Sequence, residues 1–182
     1  MAAPKPHRRD WACAPVRRLR EDLALALRAA AHHGLSEGVC NHFSVELPDG
    51  SGRFLLNPRG LLWQEIQADD IVLVDTVGER LAGRHPVEPT AMHIHAAVHR
   101  IGRKAVVLHT HMPYATALTS IRDGRIEMCT QNAFRYWNRI AYDEEYSGVA
   151  LSAEEGDRMC QALADKDILF LRNHGVIVAG PT

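Results

Sequence analysis

Ala105-Val106-Val107-Leu108-His109-Thr110-His111 sets four apolar residues directly before two histidines one residue apart. A short unbroken apolar run predicts a buried strand. Side chains two apart on a strand share a face, so His109 and His111 project together. Such a pair at a strand end can hold a divalent metal. Alternatively, one histidine packs against its neighbours and the other meets solvent. A second strand-like run, Asp167-Ile168-Leu169-Phe170-Leu171-Arg172, ends at Asn173-His174-Gly175 and supplies a third histidine. Three histidines closing strands, with one coordination position left open, make the pattern of a catalytic rather than a structural metal site.

The chain has 182 residues, enough for one domain with its own core. Hydrophobic residues make up 46% and charged residues 24%, as in ordinary globular proteins. A net charge of -1 argues against a nucleic-acid partner. No apolar run approaches the roughly 20 residues of a membrane span. Cys13, Cys40, Cys129 and Cys160 are scattered, without a Cys-x-x-Cys pair. That usage fits a reducing, cytoplasmic setting.

Ahead of the histidine strand, Glu88-Pro89-Thr90 opens a helix that carries His93, His95 and His99. It directly precedes the strand, so one of its residues can approach a metal, while His93 and His99 read as ordinary packed or surface residues. Ile71-Val72-Leu73-Val74-Asp75 is a strand. Gly34–Ser44 is a glycine-punctuated loop running into another strand. Pro48-Asp49-Gly50-Ser51-Gly52 is a hairpin turn returning through Arg53-Phe54-Leu55-Leu56. Asn57-Pro58-Arg59-Gly60 is a second tight turn. These loops either present N–H groups to an anion, with Asn41, Ser44 and Arg59 as added donors, or use Gly, Asn and Pro simply for turning. Pro15 opens a long helix that stops at Gly34. The basic residues before it, including Lys5, Arg8 and Arg9, predict a loose tail over residues 1–14, since the stretch lacks the serines of a transit peptide. Beyond His111, Pro113 to Ser120 reads as a short helix. Cys129 to Tyr146 fits no single element. Ser152-Ala153-Glu154-Glu155 is a capping box for a helix running to about Leu163.

On these residues the chain resembles the class II aldolase/adducin domain family. The matching stretches include Gly34–Ser44, Leu55–Gly60, Ile71–Asp75, the His95 helix, Val107–Tyr114, Gln131-Asn132, Gly148–Glu155 and Leu169–Gly180. The specific signature is His109-Thr110-His111 followed by Asn173-His174-Gly175. Gly-Leu-Ser-Glu-Gly-Val-Cys-Asn-His and Asn-Pro-Arg-Gly-Leu-Leu place it nearest the adducin-like branch. The resemblance implies an α/β fold of three layers, α/β/α, with a mostly antiparallel central sheet over residues 15–182. It implies a divalent ion, usually Zn2+, on His109, His111 and His174. It also implies a homo-oligomer, tetrameric in the family, with sites at subunit boundaries. The implied chemistry is aldol cleavage, epimerisation or decarboxylation of a small oxygenated anion through a metal-stabilised enediolate. The chain is expected to end before the family's usual C-terminal helices, leaving apolar surface uncovered.

Departures from the family pattern shape the site. Aldolases of the family carry an acid/base glutamate where Ala91 stands. The candidate acid/base residues are therefore Glu88 and His95. Asn41 and Ser44 match the anion-binding loop, while Cys40 replaces its usual glycine. Thr90 keeps one hydroxyl of a Ser-Ser pair, and Gly60 is what remains of the second anion-binding turn. These changes weigh against sugar-phosphate aldol cleavage. Two alternatives stay open: a non-catalytic module of the adducin kind, joining an actin-type assembly, or an inactive truncated fragment.

Overall fold

The computed structural model describes residues 11–146, 148 and 150–182. Its helices are α1 (Ala14–His32), α2 (Pro89–Arg100), α3 (Pro113–Thr119), α4 (Gln131–Phe134) and α5 (Ala153–Leu163). Its strands are β1 (His42–Glu46), β2 (Phe54–Leu56), β3 (Val72–Val74), β4 (Arg80–Ala82), β5 (Val106–Thr110), β6 (Ile140–Asp143), β7 (Ile168–Leu171) and β8 (Gly175–Gly180). They form one sheet in the order β4-β3-β2-β1-β5-β8-β7-β6.

Strand alternation sorts the residues into layers. Phe43, Leu55 and Leu73 point to one face, where Val16, Leu23 and Leu27 of α1 and the Trp63 ring cover them. Phe170 and Val176 point to that same face under α3. On the other face Val107, Leu169 and Ile177 meet Ile94 and Val98 of α2 and Met159 and Leu163 of α5. The result is the expected α/β/α sandwich. The helix of α5 starts as its capping box requires, with Ser152 Oγ accepting from the Glu155 N–H at 3.3 Å. Helices α2 and α5 cross closely at Gly156, where a Cβ would stand 2.3 Å from the His93 carbonyl oxygen.

The sheet is mixed. Each neighbouring pair among the described residues is antiparallel except β6–β7, which runs parallel with Ile140 opposite Ile168. A parallel pair needs a crossover, and α5 is that crossover. Arg158 of α5 ties it to the edge strand by a bidentate pair to Asp143 at 2.8 and 2.9 Å. The Cys129–Tyr146 stretch thus contains α4 and β6. The first ten residues of the expected basic tail lie outside the described residues. Trp11 and Cys13, in its last part, pack against the α1 cluster.

The layering also fixes the site. His42 on β1 pairs directly with His109 on β5. The two side chains share one face, and Ser44 follows two residues on. That face carries α2, whose His95 and His99 are buried.

Candidate metal centre

The three strand-ending histidines converge. One ligand nitrogen from each of His109, His111 and His174 lies within 4.8 Å of the others. His109 is the penultimate residue of β5, His111 follows the strand's end, and His174 sits in the turn between β7 and β8, where Asn173 takes a left-handed φ of 54°. Gly175 makes room for them: a Cβ there would stand 2.7 Å from His111 Cδ2.

Their partners define which nitrogens are free. His109 Nδ1 lies 3.2 Å from the Val176 carbonyl oxygen, which only accepts, so that nitrogen carries the proton. His111 Nδ1 donates to the Glu37 carboxylate. A neutral His111 therefore keeps its lone pair on Nε2. The two Nε2 atoms face each other at 3.1 Å. Two bare nitrogens cannot hydrogen-bond, but a shared cation satisfies both. Ligands at about 2.0–2.1 Å from a tetrahedral zinc stand about 3.3 Å apart. Carbonyl and carboxylate acceptors on the far nitrogens are the outer shell expected of metal-binding histidines. The donor set fits a divalent metal.

Asn41 adjoins this centre. Its φ of 72° is one that asparagine tolerates, and its Oδ1 accepts from the His111 backbone N–H at 3.0 Å. Its Nδ2 is buried without a partner among the described residues. Asn57 pins the approach by accepting from the Phe43 N–H at 2.8 Å. Asn41 thus brings a spare amide donor to the side of the three histidines.

Behind the centre lies a buried chain of polar groups. His42 Nδ1 is 2.8 Å from His95 Nε2. His95 Nδ1 is 2.5 Å from Ser44 Oγ, which is 2.7 Å from His99 Nε2. His99 Nδ1 ends the chain at the Lys104 carbonyl, 2.7 Å away. Burial, then neighbouring imidazoles, hold His42, His95 and His109 far below the ordinary histidine range. Burial brings His99 down to about 4 against its bond to Lys104. Burial, helped by His111, brings His174 down to about 4. These imidazoles are neutral at neutral pH, as metal ligands and lone-pair acceptors must be.

The remaining candidates from the sequence are spread more widely. Ser44 joins the histidine chain, and His95 sits inside it with both nitrogens engaged. Glu88 precedes α2 and pairs with Arg59 at 2.9 Å. Thr90 is half-buried in the first turn of α2, and Gly60 occupies an exposed turn at φ 86°. Ala91 is wholly buried among Phe54, Leu56, Val72 and Val74, an apolar setting for the position where the family pattern has an acid. The local sequence pattern gives no role to Glu37 or His42 and leaves His99 an ordinary packed residue. The His42–Phe43–Ser44 alternation, set beside the four-residue spacing of His95 and His99, was the available signal.

The sequence profile of the Class II Aldolase and Adducin N-terminal domain matches residues 21–182. An adducin-related protein of Schizosaccharomyces pombe is 33% identical over 172 residues, covering 88% of this chain and 51% of that one. The crystal structure of an aldolase II superfamily protein from Pseudomonas syringae superposes with a TM-score of 0.88 at 32% identity, covering 97% of this chain and 72% of that one. The structure of an L-fuculose 1-phosphate aldolase from Glaciozyma antarctica gives a TM-score of 0.80 at 26% identity, covering 91% and 65%. The chain spans 51% to 63% of the length of bacterial and fission-yeast relatives that it matches at 33% to 35% identity.

Proposed function

The chain belongs to the class II aldolase and adducin family, and from that premise we propose that it is a metal-dependent lyase acting on a small oxygenated anion. The reaction class is aldol cleavage, epimerisation or decarboxylation. The observation that carries the reading is the convergence of His109, His111 and His174, with outer partners that turn the lone pairs of His109 and His111 inward. Zn2+ suits three imidazoles with one open position. When bound, such an ion supplies Lewis-acid polarisation and positive charge beside a developing oxyanion.

The chain's own residues supply the rest. Val176 and Glu37 orient the ligand rings. Asn41 offers Nδ2 to an anionic oxygen, which would satisfy a donor that is otherwise orphaned. Thr90 and Gly60 are the further anion contacts we assign on the family pattern. Glu88 is engaged by Arg59, and His95 has both ring nitrogens in use. Either would act on substrate only after giving up a partner or through a neighbour. We place the protein in the cytoplasm as a homo-oligomer. The thiols of Cys13, Cys40, Cys129 and Cys160 are all free, as a reducing compartment requires. No helix among the described residues is long and apolar enough to cross a membrane.

The buried apolar setting of Ala91 favours a second reading, a non-catalytic binding module of the adducin kind. The two separate in one experiment. The purified chain is loaded with zinc and assayed against a panel of hydroxy-acids and sugar phosphates, with and without chelator. Chelator-sensitive turnover that His111→Ala abolishes supports the lyase. A loaded, folded protein that turns over none of the panel supports the module.

A further inference from the structure

The buried chain behind the centre has a direction, and that direction determines what His42 presents. It starts from the one fixed point, the Lys104 carbonyl, which can only accept. His99 Nδ1 must carry the proton, so neutral His99 is bare at Nε2. Ser44 Oγ–H therefore donates to His99 and accepts from His95 Nδ1–H. His95 is then bare at Nε2 and accepts from His42 Nδ1–H. His42, last in line, is left with its lone pair on Nε2. That nitrogen has no hydrogen-bond partner among the described residues. Its ring lies 4.8 Å from the His109 ring, directly across the β1–β5 pairing. A single serine hydroxyl thus sets the tautomer of a histidine beside the ligand set.

We propose that His42 Nε2 is the hydrogen-bond acceptor for a hydroxyl of the ligand held at the three-histidine centre. Ser44, His95 and His99 are positioning residues that keep that nitrogen bare. The inference rests on the metal-centre reading above and adds a substrate feature to it: a hydroxyl next to the metal-binding oxygen. His95, one of the two candidate acid/base residues, then acts through His42 rather than on the ligand itself.

The tautomers are read directly by long-range proton–nitrogen correlation on the 15N-labelled, metal-free protein. His42, His95 and His99 are expected as Nδ1–H tautomers. Ser44→Ala removes the link that fixes them, and His42 and His95 then show averaged nitrogen shifts, while Ser44→Thr, which keeps the hydroxyl, retains the single pattern. The ligand half uses zinc-loaded protein with glycolate and acetate as probes, since they differ by one hydroxyl. His42→Asn keeps a donor for His95 and removes Nε2. It is expected to weaken glycolate about fivefold, the worth of one hydrogen bond, with acetate binding and zinc content unchanged. His42 protonated on Nε2 in the wild type, a Ser44→Ala spectrum identical to wild type at His42, or equal loss of both probes overturns the proposal. Failure of the metal reading looks different: no zinc is retained while the three tautomers stay as assigned.

Discussion

Gly175→Ala tests whether the ligand rings are held where the structure puts them. Gly175 opens β8 opposite Leu171, directly after His174. A Cβ built there stands 2.7 Å from both His111 Cδ2 and the Thr110 carbonyl oxygen, and 3.4 Å from His109 Cε1. The first two distances are well inside ordinary contact, and one of the atoms is backbone, so the β5 end and the His111 ring must both give. Overpacking of this kind costs about 1–3 kcal/mol. In a domain of this size each kcal/mol lowers the melting temperature by about 2–4 °C. Metal ligands tolerate displacement of only about 0.2 Å. Disturbing their support typically weakens binding about 10–100-fold. Gly180→Ala on the same strand is the control, because its Cβ meets nothing nearer than the Thr182 oxygen at 3.8 Å. Zinc competition with a chromophoric chelator and thermal unfolding give both quantities. Gly175→Ala is expected to lose affinity by that factor while Gly180→Ala keeps it. Wild-type zinc affinity in a folded Gly175→Ala protein would refute the placement of His111 in the centre.

Other perturbations address the surrounding shell. Glu37→Ala leaves His111 Nδ1 without its carboxylate and is expected to weaken zinc about 10–100-fold with little change in melting temperature, since Glu37 is exposed. His99, lowered from 6.5 to about 4 by burial, stays neutral in the folded chain while the unfolded chain takes up a proton below pH 6.5. Its contribution is therefore intact above pH 6.5 and lost as pH falls towards 4, by about 3 kcal/mol in all. Urea unfolding of metal-free protein at pH 7 and pH 4.5 should show that loss within the larger one to which His42, His95, His109 and His174 also contribute, and His99→Gln should shrink the difference by about its own share; an undiminished difference in His99→Gln would contradict the burial of neutral His99. Ala91→Glu places a carboxylate among Phe54, Leu56, Val72 and Val74. It is expected to cost about 3–5 kcal/mol, as an unpaired buried charge does, and to create no activity. A stable and more active Ala91→Glu protein would show that this helix start still has room for an acid.

The parts of this site legible in the sequence were those carried by local pattern. An apolar run ending in His-Thr-His gives a strand and a shared face without further information, and the turn at Asn173-His174-Gly175 does the same. The capping box at Ser152 placed α5. Side-chain partners set by tertiary register were not legible. His42 faces His109 only because β1 and β5 pair in one register, and Ser44 lies between His95 and His99 only because α2 packs on that face. Glu37 reaches His111 from a loop 74 residues away. The β6 strand escaped because its pattern is brief and its partner, β7, lies beyond the α5 crossover. What holds it there, the Arg158–Asp143 pair, is a tertiary contact.

Metal content of the purified chain by plasma mass spectrometry, read beside that of His174→Ala, tests the three-histidine centre. About one divalent ion per wild-type chain is expected, and its loss from a His174→Ala protein that remains folded. A folded wild type without metal, or a His174→Ala protein with unchanged metal content, would contradict that centre.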